Sequence, residues 1–292
     1  SSSAASDVYK RQLIFYGVFG IGCIYAFLLI FCFSTFKIPS DSMEPQLQTG
    51  DQVLVNKWIA GPRLFNIFAS MKGKRVDIYR VPGVGQIKRN DILVFNYPHP
   101  YSWERIEMHI MQYYIKRCLG LPGDSIRIEQ GFYRNNHTKE PLGNVESQAN
   151  LSRQKADRMP DGVYRCFPFD STFNWNVHDF GPLYIPRKGD RITVNQTNYK
   201  LYKQMIEWES KDSLSWKDSK VYIGDKQVRQ YQFQSNYYFV AGDKTENSRD
   251  SRYLGLIPEE FIVGVAWKVW KSVDPYTGEY RKGRFWKNIR NN

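Results

Sequence analysis

The stretch YYIKRCLGLPGDSIRIEQGFY, residues 113–133, indicates the fold class of most of the chain. It holds two short runs rich in β-branched and aromatic residues, and the turn sequence PGD separates them. Such runs are strand signals, and glycine and proline mark the turns between strands. Similar runs recur elsewhere: DQVLVNKW, DILVFNY, DRITVN, SNYYFVAGD and EFIVGVAWKVW. Helical periodicity competes only at 62–72 and 201–211, so we predict a mostly β fold.

The bulk composition is that of an ordered protein. The 292 residues are 42% hydrophobic, 16% aromatic and 24% charged, which argues against a disordered chain. The formal net charge of +12 is compatible with nucleic acid, an anionic membrane or simple solubility. Aromatic and basic residues form no recognised nucleic-acid-binding module, so we expect no nucleic-acid partner.

Residues 13–36, LIFYGVFGIGCIYAFLLIFCFSTF, contain no charged side chain. As a helix this segment would rise about 36 Å against a hydrocarbon core of about 30 Å, so we predict a transmembrane anchor. A cleavable signal peptide would have a shorter apolar region and an A-x-A-like site, which FSTFKIPS does not offer; a buried core helix is the other alternative. Lys10 and Arg11 precede the segment, which places the amino terminus in the cytoplasm and the rest outside.

The remaining chain divides by composition. Residues 1–12 lack an initiator methionine and are interpreted as a cytoplasmic or non-native leader. The strand-rich regions 37–128 and 235–292 are predicted to form one β domain, and the more polar middle, 129–234, an inserted cap domain. From residue 266 onward, tryptophans alternate with lysines and arginines, which fits either a membrane-surface contact or a solvated basic tail.

Cysteines and histidines give no sign of a metal. Cys118 and Cys166 could form a disulfide in an oxidising compartment, whereas Cys23 and Cys32 lie inside the predicted anchor. No C-x-x-C spacing occurs, and none of the four histidines follows a ligand pattern, so we predict no metal site; they are His99, His109, His137 and His178.

A serine and a lysine are the candidates for chemistry. Ser42 follows the apolar segment closely, but a serine hydroxyl needs a base, and neither a G-x-S-x-G elbow nor a suitable histidine context is present. An exposed lysine is neutral in only about one molecule in 2,500 at pH 7, and burial can lower its pKa by about 3–5 units. Lys116 lies on an apolar strand with no carboxylate beside it in sequence. On pattern alone, an ordinary turn serine and a snorkelling strand lysine remain equally simple explanations.

Four ordered blocks of sequence give these residues a context: IPSDSMEPQLQTGDQVLVNK, KRNDILVFNYP, YYIKRCLGLPGDSI and GDKTENSRDSRYLGLIPEEFIVGVAW. With them the chain resembles bacterial type I signal peptidases, the membrane-bound Ser-Lys proteases that remove signal peptides from exported proteins. The resemblance covers most of the chain. It implies an antiparallel-sheet catalytic fold in 37–128 and 235–292.

The resemblance also assigns roles. Ser42 falls on the nucleophile, Lys116 on its general base, and Ser40 on the hydroxyl that forms the oxyanion hole with the Ser42 backbone N–H. Ser248 falls on the serine that orients the lysine amine. The remaining positions are a structural ion pair, Asp250 and Arg252, and a small apolar pocket for alanine-like side chains, made by Ile38, Met43, Leu47, Tyr114 and Ile115. If residues 40–42 are extended, strand alternation directs both serines to one face.

The implied reaction proceeds through an acyl-enzyme without a cofactor. The implied partners are signal-peptide-bearing preproteins and the lipid bilayer, and we expect a monomer in the bacterial inner membrane with its catalytic domain on the periplasmic or extracytoplasmic side. One departure is GDKT at 242–245, where family members commonly read Gly-Asp-Asn-Arg. Three rivals remain: a self-cleaving repressor-type protease, which should lack an anchor; an organellar inner-membrane peptidase; and a catalytically silent, membrane-tethered binding protein.

Overall fold

The computed structural model describes residues 2–66, 68–69 and 78–289. Five α-helices have both ends within these residues: α1 (Ser2–Phe27), α2 (Val145–Ser152), α3 (Asp161–Tyr164), α4 (Gln196–Ser210) and α5 (Ser251–Leu254). The strands of the first half are β1 (Phe33–Lys37), β2 (Asp51–Asn56), β3 (Arg63–Leu64), β4 (Tyr79–Arg80), β5 (Ile92–Asn96), β6 (Tyr113–Gly120), β7 (Ser125–Glu129) and β8 (Phe132–Asn135). Those of the second half are β9 (Phe180–Tyr184), β10 (Arg191–Thr193), β11 (Leu214–Lys217), β12 (Lys220–Ile223), β13 (Lys226–Val228), β14 (Gln230–Gln232), β15 (Tyr237–Ala241), β16 (Ile257–Pro258), β17 (Ile262–Ser272) and β18 (Lys287–Asn288).

One large antiparallel sheet organises the described chain, which confirms the mostly β prediction. Its order is β1-β2-β17-β5-β6-β15-β16, and β18 pairs with the end of β17. The long strand β17 contacts both β2 and β5, so it joins the two halves of the sheet. Strands β5 and β6, which the runs DILVFNY and YYIKRCLG predicted, are neighbours in register.

The large sheet is buried on both faces at its central strand β5. On β5, Leu93 and Phe95 pack into one apolar cluster, whereas Ile92 and Val94 pack into a second one. Because side chains alternate along a strand, a continuous apolar run is what a strand covered on both faces requires. The second cluster also contains Ile38, Met43 and Leu47, which follow β1 in the sequence.

The predicted helical span to Phe36 was wrong at its carboxyl end. The α-helix ends at Phe27, a π-helical turn covers Leu28–Cys32, and residues 33–37 form the edge strand β1. All five residues of β1 pair with β2, and these backbone hydrogen bonds take the segment out of the helix. Within the described part of the chain, no helix combines the length and the apolar character needed to cross a membrane.

The middle region, 129–234, carries helices α2 to α4 and several short strands. Helix α4 confirms the helical periodicity at 201–211, whereas much of 62–72 lies outside the described residues. Side chains such as Leu201, Met205 and Val221 join the same apolar cluster as Leu93 of β5. The middle region therefore shares a core with the large sheet, and its status as a separate cap domain stays a prediction.

The disulfide considered above is not formed. Cys118 and Cys166 are both buried free thiols, and Cys23 and Cys32 are free as well.

Candidate active site

Residues 38–50 form a closed turn between β1 and β2, which we call the nucleophile turn after the role predicted for Ser42. Ile38 N–H donates to the Asp51 carbonyl at 2.8 Å, and Gly50 N–H donates to the Ile38 carbonyl at 2.9 Å. Ser40 and Ser42 lie in bends and turns inside it, so the expected strand alternation was wrong: the paired backbone stops before them. The turn nevertheless brings their hydroxyl oxygens to 3.5 Å from each other.

Strand β6 brings Lys116 to the same place. The Lys116 Nζ donates to Ser42 Oγ at 2.5 Å, across 74 positions of sequence. Lys116 faces Leu93 of the neighbouring strand β5, and its side chain is only 4% exposed. The amine also lies 5.8 Å from the centre of the Tyr114 ring. The structure thus places a serine hydroxyl against a desolvated lysine amine.

Burial sets the protonation of this lysine. Desolvation lowers the pKa of Lys116 from 10.5 to about 8, while the nearby carboxylate of Asp250 opposes the shift and the Arg252 guanidinium adds to it. With a pKa of about 8, roughly one amine in ten is neutral at pH 7, about 200 times the fraction of an exposed lysine. A neutral amine can accept a proton, so Lys116 is equipped to act as a base.

The ion pair between Asp250 and Arg252 is almost completely enclosed. Asp250 is 0% and Arg252 1% exposed, and two hydrogen bonds of 2.9 Å join the guanidinium to the carboxylate. Asp250 also accepts the Gly242 N–H at 2.9 Å, and Arg252 donates to the Thr245 carbonyl at 2.8 Å. The pair therefore ties together the backbone of 242–252, which borders the serine–lysine contact.

Ser248 lies beside the site, but the expected hydrogen bond to the lysine amine is absent. Its buried hydroxyl has no hydrogen-bond partner within the part of the chain that the structure describes. Ser248 packs tightly on Gly242: a Cβ at Gly242 would lie 2.2 Å from Ser248 Oγ and 2.6 Å from the Ser42 carbonyl oxygen. Glycine is thus required here so that the final block can approach the nucleophile turn.

The GDKT segment supplies contacts that sequence reasoning missed. Asp243 accepts two hydrogen bonds from Arg117, at 2.6 and 2.5 Å, next to Lys116 on β6. Lys244 N–H donates to the Ser42 carbonyl at 3.1 Å, and its side chain forms an ion pair with Asp41. The departure from the common family sequence was the only signal that pointed to these residues.

The five predicted pocket residues divide between the two faces of the sheet. Ile38, Met43 and Leu47 are buried in the second apolar cluster, and Ile115 packs against it. Tyr114 instead packs against the first cluster, with its ring 4.7 Å from that of Tyr97. Neighbouring residues of β6 point to opposite faces, so Tyr114 lies on the face of Lys116 and Ile115 on the other, and the five-residue pocket stays a prediction.

Two arginines of the carboxyl-terminal region, Arg281 and Arg284, hydrogen-bond to the nucleophile turn and to Asp51 beside it. Arg284 donates to the fully buried Asp51 carboxylate at 2.9 Å and to the Gln46 carbonyl at 2.8 Å. Arg281 donates to the Thr49 carbonyl, also at 2.9 Å. Residues near 46–51 and 281–284, which are far apart in the sequence, therefore meet at the turn that carries Ser42.

Two further features concern what the site can bind. A cavity of about 800 Å³ is lined by Ser248 together with His99, Trp103, Phe167 and Tyr253. Among residues 2–66, 68–69 and 78–289, no three His, Cys, Asp or Glu side chains gather as metal ligands do.

The family model "Signal peptidase, peptidase S26" matches residues 11–270. The chain belongs to this signal peptidase family. Its relatives include the signal peptidase I of Buchnera aphidicola subsp. Acyrthosiphon pisum, 29% identical over 87% of this chain and 73% of that protein. The signal peptidase I of Pseudomonas aeruginosa is 29% identical over 83% of this chain and 66% of that protein. A crystal structure of a signal peptidase I from Enterococcus faecalis covers 63% of this chain and 98% of its own, at 16% identity and a TM-score of 0.30.

Proposed function

We propose that this chain is a type I signal peptidase that cleaves the signal peptides of exported preproteins with a Ser42–Lys116 dyad. The observation that carries the proposal is the 2.5 Å contact between Lys116 Nζ and Ser42 Oγ in a site that lowers the lysine pKa to about 8. Family membership supports the reaction class, and the contact supplies the nucleophile and base that the reaction needs.

In the first step, neutral Lys116 accepts the hydroxyl proton as Ser42 Oγ attacks the carbonyl that follows a small residue. The proton then passes from Lys116 to the departing amine of the mature protein, which leaves an acyl-enzyme. Lys116 next takes a proton from a water molecule that attacks the ester, and returns it to Ser42 as the signal peptide leaves. The enzyme ends with both groups as they began.

Stabilisation of the developing oxyanion is assigned to Ser40 and to the Ser42 backbone N–H. The 3.5 Å separation of the two serine hydroxyls supports this assignment, because a carbonyl attacked by Ser42 would lie within reach of Ser40. The apolar side chains of Ile38 and Met43, which belong to the turn, pack in one cluster with Ile115, which supports a preference for small side chains before the cut. Ser248 is assigned to orienting the amine, because its buried hydroxyl has no hydrogen-bond partner among the described residues.

The location is proposed to be the bacterial inner membrane, with the catalytic domain, residues 37–128 and 235–292, on the outer side, residues 129–234 as its cap, and the enzyme acting as a monomer. Exposed apolar side chains along α1, such as Leu13, Phe19 and Ile24, support residence of this helix in a bilayer. At the start of β1, Phe33 stacks on Trp267, and Lys268 lies over the rings of Trp267 and Trp286 at 4.8 and 5.1 Å, an aromatic and basic combination suited to a membrane surface.

The test is cleavage of a purified preprotein in detergent by the wild type, Ser42→Ala and Lys116→Met, with the new amino terminus sequenced. We expect the wild type to cut after an A-x-A-like site, and both variants to be folded and silent. Ser171→Ala and Lys217→Met remove an exposed serine and lysine and serve as matched controls that keep full activity. A folded wild type that cuts no preprotein, or an active Lys116→Met, would favour a catalytically silent binding protein or another nucleophile.

A further inference from the structure

A charged contact joins the nucleophile turn to the final block of sequence. Lys244 Nζ forms an ion pair with the Asp41 carboxylate, and Asn247 Nδ2 donates to both oxygens of Asp41 at 3.3 Å. Asp41 stands between Ser40 and Ser42, and the Lys244 N–H holds the Ser42 carbonyl at 3.1 Å. Lys244 thus binds the nucleophile turn at two points: its backbone N–H donates to the Ser42 carbonyl, and its side chain pairs with Asp41.

The contact is too exposed to matter mainly for global stability. The side chains of Lys244 and Asp41 are 31% and 38% exposed, and ion pairs of that kind contribute little to folding. Their position beside Ser42 is therefore the feature that requires explanation. Hydrogen bonding from Lys244 holds the pKa of Asp41 below its ordinary value, so the pair stays ionised at neutral pH.

The carboxylates that act on the Lys116 amine are all paired with cations. Besides the Arg252 guanidinium, three carboxylates act on the amine: Asp250, Asp243 and Asp41. Each carboxylate has its own cation, because Asp250 pairs with Arg252, Asp243 with Arg117, and Asp41 with Lys244. Only the last of these three pairs is open to solvent, and only it belongs to the nucleophile turn.

We propose that Asp41 and Lys244 are positioning residues: their ion pair fixes the turn that carries Ser40 and Ser42 against the final block and cancels the charge that either residue alone would place beside the dyad. The inference rests on the proposed Ser42–Lys116 chemistry, and it adds two residues whose roles are geometric and electrostatic. Neither touches the reacting atoms.

The experiment is a double-mutant cycle with Asp41→Asn, Lys244→Met and the combined variant, using the full-length chain and one preprotein. For each enzyme, kcat/KM is measured from about pH 6 to 10, a range that spans the ordinary and the lowered pKa of a catalytic lysine. Lys200→Met is the matched control, because Lys200 pairs with Asp170 at 2.8 Å with similar exposure. Lys116→Met is included as the inactive reference.

The two single variants should move the acid limb of the profile in opposite directions. Asp41→Asn leaves Lys244 with only the more distant Glu44 carboxylate, at 4.0 Å, and this excess of positive charge favours the neutral amine and moves the limb to lower pH. Lys244→Met leaves an unpaired carboxylate and moves it to higher pH. Each displacement should be about 0.5 pH unit, or about threefold in rate on the limb, and the combined variant should return to the wild-type limb.

On the alkaline plateau of kcat/KM, Lys116 is already neutral, so the rate there reports on the geometry of the turn rather than on charge. Lys244→Met should lose about tenfold there because the turn is released on one side, and Asp41→Asn should lose less because its amide oxygen still accepts hydrogen bonds. Lys200→Met should match the wild type throughout. If both single variants shift the limb in the same direction, or by less than about 0.1 pH unit, the charge-cancelling role is refuted. An unchanged plateau in Lys244→Met refutes the positioning role.

The reference variant separates this inference from the proposed function. Should Lys116→Met be silent while the profiles of the other variants stay unmoved, the ion-pair inference alone fails. Should Lys116→Met cleave as fast as the wild type, the dyad itself is wrong and the inference falls with it.

Discussion

Replacing Lys116 with methionine should make the folded protein more stable at neutral pH while it abolishes activity. Lys116 is 4% exposed and its pKa falls from 10.5 to about 8 on folding. A drop of roughly 2.5 units corresponds to about 3 kcal/mol by which burial of the charged amine weakens the fold. Methionine removes that penalty, fills similar space, and gives up one hydrogen bond to Ser42 that is worth about 1 kcal/mol. We therefore expect a net gain of about 2 kcal/mol at pH 7.

The stability advantage of Lys116→Met should decrease as the pH rises. Between about pH 8 and 10.5 the unfolded lysine is protonated and the folded one is neutral, so the unfolded state binds more protons and the wild type gains stability as pH rises. Below about pH 8 both states are protonated and the penalty is complete. The advantage of Lys116→Met should consequently shrink from about 2 kcal/mol at pH 7 to close to zero at pH 10.

Urea unfolding followed by tryptophan fluorescence, at pH 7 and pH 10, measures both quantities. Lys217→Met, which removes an exposed lysine, is the control and should change stability by less than about 0.5 kcal/mol at either pH. The reasoning is refuted if Lys116→Met is less stable than the wild type at pH 7, or if its advantage is the same at pH 10.

Three further outcomes follow from the site. The kcat/KM of the wild type should rise about tenfold per pH unit up to about pH 8 and then level off; a limb that ends near pH 10 would show an unperturbed base. Gly242→Ala places a Cβ 2.2 Å from the Ser248 hydroxyl and should lose at least about 100-fold in activity while staying folded, whereas Gly162→Ala, which meets nothing within 4 Å, should be fully active. Arg252→Met leaves the buried Asp250 unpaired and should lower the free energy of unfolding by about 3–5 kcal/mol; near-normal urea unfolding would contradict the enclosed ion pair.

Local patterning was enough to predict the central strands of the sheet. The run YYIKRCLG coincides with β6, and DQVLVNKW, DILVFNY and EFIVGVAWKVW each contain a strand of the same sheet. Alternating or continuous apolar runs carry this information within a few residues. The end of α1 was not predictable in this way, because residues 33–36 are as apolar as the helix before them and only pairing with β2 makes them a strand.

The site depended on contacts across the chain. Ser42 and Lys116 are 74 positions apart, and neither residue is distinctive by itself, so only the resemblance brought them together before the structure did. Asp41 and Lys244 are 203 positions apart, and no local pattern joins them. The bent path of the nucleophile turn likewise follows from hydrogen bonds that Ile38 makes to Gly50 and Asp51, not from the tripeptide around Ser42.

The arginine clamp on the nucleophile turn has a consequence for the order of synthesis. Arg281 and Arg284 bind carbonyls that lie 232 and 238 positions earlier in the chain. A ribosome completes the turn, with its serine, long before it adds the residues that hold it. A nascent chain that stops short of Arg284 has the nucleophile without its support. We therefore expect the turn to take its final conformation only after Arg281 and Arg284 have been made.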